Sequence, residues 1–137
     1  RDWSSDVCSS DLGAPGQDYG RLLERARARD MGTIVIRALA GGALSGTGAR
    51  HPLAMQAVDP IGSAPDFAAD VARAQTLQSF VKDAGAASLT ELAERFVISH
   101  PTVSTMLIGY SNLDHLEAAA AAVGKGALAP AILKRIC

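Results

Sequence analysis

Hydrophobic residues in this chain recur with two different periods. Thr33 to Leu39 (TIVIRAL) is apolar, β-branched and nearly continuous, which predicts a buried strand interrupted only by Arg37. Val103, Met106, Leu107 and Ile108 form a second such run that stops at Gly109. Elsewhere the spacing is helical. Asp18 to Arg29 places Tyr19, Leu22, Leu23 and Ala26 on one face, with Asp18 as its cap. Asp66 to Asp83 reads as one helix with Phe67, Val71, Ala74, Leu77 and Val81 on a stripe and Gly85 as its C-cap. Ser88 and Glu91 form a capping box for a third helix, whose face is Leu89, Leu92, Ala93, Phe96 and Val97 and whose end is marked by Pro101. Ser111 and Asn112 stand where an N-cap is wanted, and Leu113, Leu116, Ala120 and Val123 follow at helical spacing. A short helix is expected from Pro130.

The order is helix, strand, long loop, two helices, strand, helix. Alternation of this kind predicts an α/β fold with a parallel sheet and helical crossovers. Two parallel strands make a poor sheet alone, since each needs neighbours. The stretch from Ala40 to Pro65 is Gly- and Pro-rich, and a loop of that length in a compact domain is usually functional. Residues 1–12 (RDWSSDVCSSDL) have neither period and closely resemble translated sequencing-adapter read-through. The expectation is a non-native tail over 1–12, a partial domain over 13–137, and a natural protein that extends upstream of Gly13.

Composition narrows the function classes. With 13 basic and 14 acidic residues, there is no electrostatic case for nucleic acid or an anionic membrane. Aromatics at 4% supply no stacking platform for single strands. No apolar run reaches the length of a membrane span, and no apolar signal-peptide core is visible in the first residues. Cys8 and Cys137 are isolated thiols without metal-ligand spacing, which fits a reducing cytoplasm and no metal site.

Chemistry concentrates at the strand ends. Val103 to Ala119 reads as strand, glycine turn and capped helix, which aims free backbone N–H groups and a helix dipole at one point, a natural phosphate site. The run GGALSGTG past the first strand fails the Walker pattern, because Thr47 stands where Lys should be. It also fails the dinucleotide fingerprint at Ala43, so it is either a close-approach turn for a ligand or an ordinary strand exit. Arg37, in a strand read as buried, needs either an ion-pair partner or a place at an active-site mouth. His100 reads as structural, His51 has no visible partner, and His115 stands in the first turn of the last helix beside the phosphate site. No Ser/His/Asp or Cys/His set is spaced as a nucleophile.

The segments IVIRALAGGALSG and ELAERFVISHPTVSTMLIGYSNLDHLEAA, in that order, resemble the C-terminal part of the aldo-keto reductases. These are (β/α)8 TIM barrels that use a nicotinamide cofactor. The resemblance implies that the chain is a truncated barrel spanning helix 6 to helix 8, with Thr33–Leu39 as strand 7 and Val103–Ile108 as strand 8. It places Ile36, Arg37, Leu39, Gly41 and Gly42 beside the nicotinamide, and Gly109, Tyr110, Ser111, Asn112 and His115 around the adenosine phosphate. It implies a small-molecule carbonyl or alcohol substrate and favours NADP(H) over NAD(H). Gly109 and His115 stand where many members carry Lys or Arg, which weakens a strict NADPH preference. Ala118 and Ala119 replace residues that often contact adenine. The family's catalytic Asp, Tyr, Lys and His belong to the first half of the barrel, so no catalytic residue is assigned here. The chain alone is then expected to be inert and to fold poorly, with unpaired strand edges. A non-catalytic nucleotide-binding or regulatory module on the same barrel, and a small parallel α/β domain unrelated to oxidoreductases, are the competing readings.

Overall fold

In the computed structural model, which describes residues 22–57 and 65–136, two short parallel strands carry helices on one face. In chain order these are α1 (Leu22–Arg27), β1 (Ile34–Val35), a 3-10 helix (Ala40–Ser45), α2 (Phe67–Thr76), α3 (Gln78–Asp83), α4 (Leu89–Ile98), β2 (Thr105–Met106), α5 (Leu113–Gly124) and α6 (Pro130–Ile136). The tail expected over residues 1–12, the expected Asp18 cap, Tyr19 and Cys137 lie outside the described residues.

The strands pair in the register Ile34 with Thr105 and Val35 with Met106. The Thr33 carbonyl extends the pairing by accepting from Ser104 N and Thr105 N, and Leu107 N donates to the Val35 carbonyl at 2.9 Å. Both strands are shorter and more exposed than their apolarity predicts. Val35 and Met106 are half-buried toward the helices, whereas Ile34, Ile36 and Leu107 on the other face are 62%, 59% and 58% exposed. The physical reason is the pairing itself. Among the described residues each strand has one neighbour and one covered face, and apolarity cannot bury a residue without a partner to pack on.

The core is organised around α4. Phe96 is fully buried in a cluster with Val81, Leu89, Leu92, Leu128 and Ile132, which joins α4 to α3 and α6. Ala93, one position round the helix, meets Ala40, Ala43, Leu44, Val71 and Ala74, which joins α4 to α2 and the 3-10 helix. The predicted face of α4 is therefore buried throughout. The Ser88 hydroxyl caps it by accepting from Glu91 N at 3.1 Å. The helix read over Asp66 to Asp83 is instead two helices that meet at Leu77, whose N–H turns back to Ala74. Asp66 caps α2 through Ala69 N at 2.8 Å. The α3 end closes as a Schellman turn, with Gly85 at φ +61, Gly85 N to Lys82 O and Ala86 N to Val81 O.

On α5 the stripe Leu113, Leu116, Ala120 and Val123 is exposed, and the buried residues are Ala119 and Ala122. Methyl side chains let two helix backbones approach closely, so the alanine edge, not the leucine stripe, meets α4. The leucines remain uncovered among the described residues.

An ionic knot of buried Glu91 and Arg95 with the half-exposed Lys125 ties the helix ends together. The Glu91 carboxylate accepts from Lys125 Nζ at 2.8 Å, Ala87 N at 3.1 Å and Arg95 Nη1 at 3.3 Å. Arg95 also donates to Gly126 O at 2.9 Å, Ala84 O at 3.2 Å and Ala127 O at 3.4 Å. Burial by itself pushes the Glu91 carboxyl up, but the Lys125, Ala87 and Arg95 contacts outweigh it and hold the pKa below its ordinary value. That contribution is present above the ordinary carboxylate value and is lost as pH falls below it through the lowered folded value.

Arg95→Met is expected to cost about 2–4 kcal/mol, because it strips the donor from three carbonyls and from a buried carboxylate. Glu91→Gln is expected to lower stability at neutral pH and to flatten the acid side of the profile. Urea denaturation of both variants from about pH 3 to pH 7 measures the two effects.

Candidate functional site

Because β1 and β2 run parallel and adjacent, their C-terminal exits open side by side. The segment after β1 turns at once. Arg37 has φ +59, Ala40 φ +48, Gly41 φ +64 and Gly42 φ +102. Left-handed backbone is free for glycine but costs a side-chain-bearing residue of order 1 kcal/mol or more, and such residues cluster at functional sites. Arg37 is exposed and lies outside the strand. The reading of a buried arginine is thus corrected, since the positive φ turns the chain out of the sheet before Arg37 can be covered. Among the described residues no acceptor meets its guanidinium. Ile36 is exposed beside it, while Leu39 packs on the Ala40–Leu44 cluster.

The segment after β2 leads into α5. Gly109 has open space where a Cβ would sit, and Tyr110 is exposed. Asn112 is the N-cap, with its Oδ1 accepting from His115 N at 2.9 Å. His115 Nδ1 accepts in turn from Ser111 N at 3.4 Å, so a neutral ring carries its proton on Nε2. Ser111 and Asn112 thereby occupy the capping positions their residue types predict.

The loop between them joins the two exits. Arg50 Nη1 donates to Gly41 O at 3.0 Å, its Nε donates to Met55 O, and its guanidinium lies 5.1 Å over the Phe67 ring. The next residue, His51, sets its ring edge-on to His115 with centroids 5.7 Å apart. His51 Nδ1 accepts from Leu53 N at 3.2 Å, so this ring too carries its proton on Nε2 when neutral. Arg50 and His51 thus clasp the Gly41 turn at one end and the α5 N-terminus at the other. Neither is legible as a site residue from sequence, because their partners lie 9 and 64 positions away and no local motif links them.

Of the ten residues predicted for this site, nine stand at these two exits with their side chains or backbone accessible, and Leu39 is turned into the core. A cleft of about 270 Å³ lined by Arg27, Asp30, Met31 and Thr102 lies at the opposite, N-terminal ends of the strands. Among the described residues no group of three or more His, Cys, Asp or Glu could hold a metal, and no helix is long and apolar enough to cross a membrane.

A family model described as the aldo/keto reductase family matches residues 16–136. No curated protein and no solved structure matches the chain.

Asn112→Ala is expected to destabilise the first turn of α5 by about 1 kcal/mol, the usual worth of such a cap. Amide exchange of His115 and its neighbours reads this directly, with faster exchange confined to that turn.

Proposed function

The chain belongs to the aldo/keto reductase family, a family of TIM-barrel oxidoreductases, and on that premise we propose that residues 13–137 are the cofactor-binding end of an NAD(P)H-dependent carbonyl reductase. In this reading β1 and β2 are strands 7 and 8 of a (β/α)8 barrel, NADP(H) is favoured over NAD(H), and the substrate is a small carbonyl or alcohol. The observation that carries it is the adjacency of two parallel strand exits, one a left-handed glycine turn and the other a capped helix N-terminus. In barrels of this class, phosphate sites favour the loops after the last two strands.

The residues present fit a dinucleotide. Leu113 and Asp114 open a twelve-residue helix and, among the described residues, no acceptor meets their N–H groups. Arg37 offers an exposed guanidinium. Ile36 and Tyr110 offer exposed apolar surface for a ring, at 59% and 56% exposure. The uncovered faces of Ile34, Ile36 and Leu107, and the uncovered leucine stripe of α5, support further barrel staves packing against them.

When bound, the nicotinamide supplies the hydride that reduces a carbonyl carbon. The work of this chain is then to bind and orient. The α5 N–H groups and the His115 Nε2–H donate to a phosphate, with Asp114 in the same turn reducing the net positive charge there. Arg37 adds a cation at the other exit, and Arg50 holds the Gly41 turn in place. The proton donor belongs to the upstream half of the barrel, so the chain alone is catalytically inert, and its location is cytoplasmic.

Fluorescence titration of the reconstructed full-length protein with NADPH and with NADH tests the reading. Saturable binding is expected, weakened about tenfold by Arg37→Ala, which is near 1.4 kcal/mol. No saturable response to either nucleotide overturns it.

A further inference from the structure

Glu94, in the middle of α4, is only 2% exposed, and among the described residues no donor or cation meets its carboxyl. A buried carboxylate without a partner is costly. The groups that could serve it are engaged elsewhere. Arg95 is spent on Glu91 and three carbonyls, and Lys125 is held by both oxygens of Glu91. Glu91 reaches Lys125 at the end of α5, and Glu94, three residues on, falls on the same side of α4.

The elements packed on α4 offer no substitute: on α2 the ionisable residues are Asp70, which is buried, and Arg73, each with an interaction of its own, and on α6 Lys134 and Arg135 are exposed. The 3-10 helix and β2 contain no ionisable residue. On α3, Lys82 and Asp83 are exposed, and Asp83 pairs with Arg135. On α5 the buried residues are Ala119 and Ala122, and Asp114, His115 and Glu117 are exposed.

We propose that Glu94 is a proton-operated lock on the seam between α4 and α5. Neutral, it lets the alanine edge of α5 seat against α4. Ionised, it meets, among the described residues, only the like charge of Glu91 and drives α5 from its place, and the Asn112-capped N-terminus moves with it. The lock stands on burial and missing partners and does not depend on the cofactor reading.

Burial, with a smaller push from the Glu91 charge, raises the Glu94 carboxyl to about 7. A carboxyl raised in the folded state stabilises the fold fully below its unfolded value. That stability is lost as pH rises through the folded value. The lock therefore opens through neutrality, opposite in direction to the Glu91 pair.

Amide exchange in α5 and in α2, corrected for intrinsic amide chemistry, is followed from about pH 5 to pH 9 in the 137-residue chain. Wild type is compared with E94M, E94Q and the exposed control E117Q. The opening constant of α5 is expected to rise on the order of a hundredfold more across this window in wild type and E117Q than in E94M and E94Q. An amide or thioether that lowers absolute stability shifts the level of the curve and leaves this comparison intact. Wild-type pH dependence retained in E94M overturns the lock, as does protection lost equally in α2 and α5.

Discussion

Glu91 and Arg95 hold the rest of the molecule in register. One helical turn of α4 presents a carboxylate and a guanidinium that bind the Ala87 N–H, the Ala84 carbonyl, the Lys125 ammonium and the carbonyls of Gly126 and Ala127. These are the entry to α4, the exit of α3 and the exit of α5. Helix ends carry unsatisfied backbone groups that need partners when buried, and here one ion pair supplies several of them. A buried pair of this kind contributes little net stability over an apolar replacement, yet losing either member is expensive. Its value is positional. It sets where α5 ends, and with the alanine edge it sets where α5 begins.

That placement is what sets the two strand exits beside each other. Parallel pairing puts both exits at one end of the sheet, and α5, seated on α4, brings its capped N-terminus toward the glycine turn. The Arg50–His51 clasp then bridges the gap, with backbone carbonyls at one end and an imidazole edge at the other. Strain at Arg37 and Ala40 belongs to the same arrangement, because the chain must reverse out of β1 within a few residues to leave the exit open.

Glu94, buried in α4, is a conflict between local and global preference. Glutamate is a good helix former, and by local rules its place in α4 is unremarkable. Only the packing of other elements on α4 makes it a buried carboxyl without a partner among the described residues. Conflicts of this sort in otherwise consistent folds tend to mark function.

Local chemistry determined much of this molecule. The caps at Ser88 and Asn112, the Gly85 turn, the buried face of α4 and the short helix from Pro130 depend on contacts within a few residues, and all were legible in the sequence. So were the two exits, as glycine turns after β-branched runs. Tertiary structure decided the rest. Ile34, Ile36 and Leu107 are apolar enough for a core and yet exposed, because burial depends on a neighbour that no local pattern specifies. The leucines of α5 point away while its alanines pack, because helix separation, not hydrophobicity, chose the contact edge. His51 meets His115 and Arg50 grips Gly41 because chain topology brought distant segments together. Periodicity reports what a residue prefers, and only the assembled packing decides whether that preference is met.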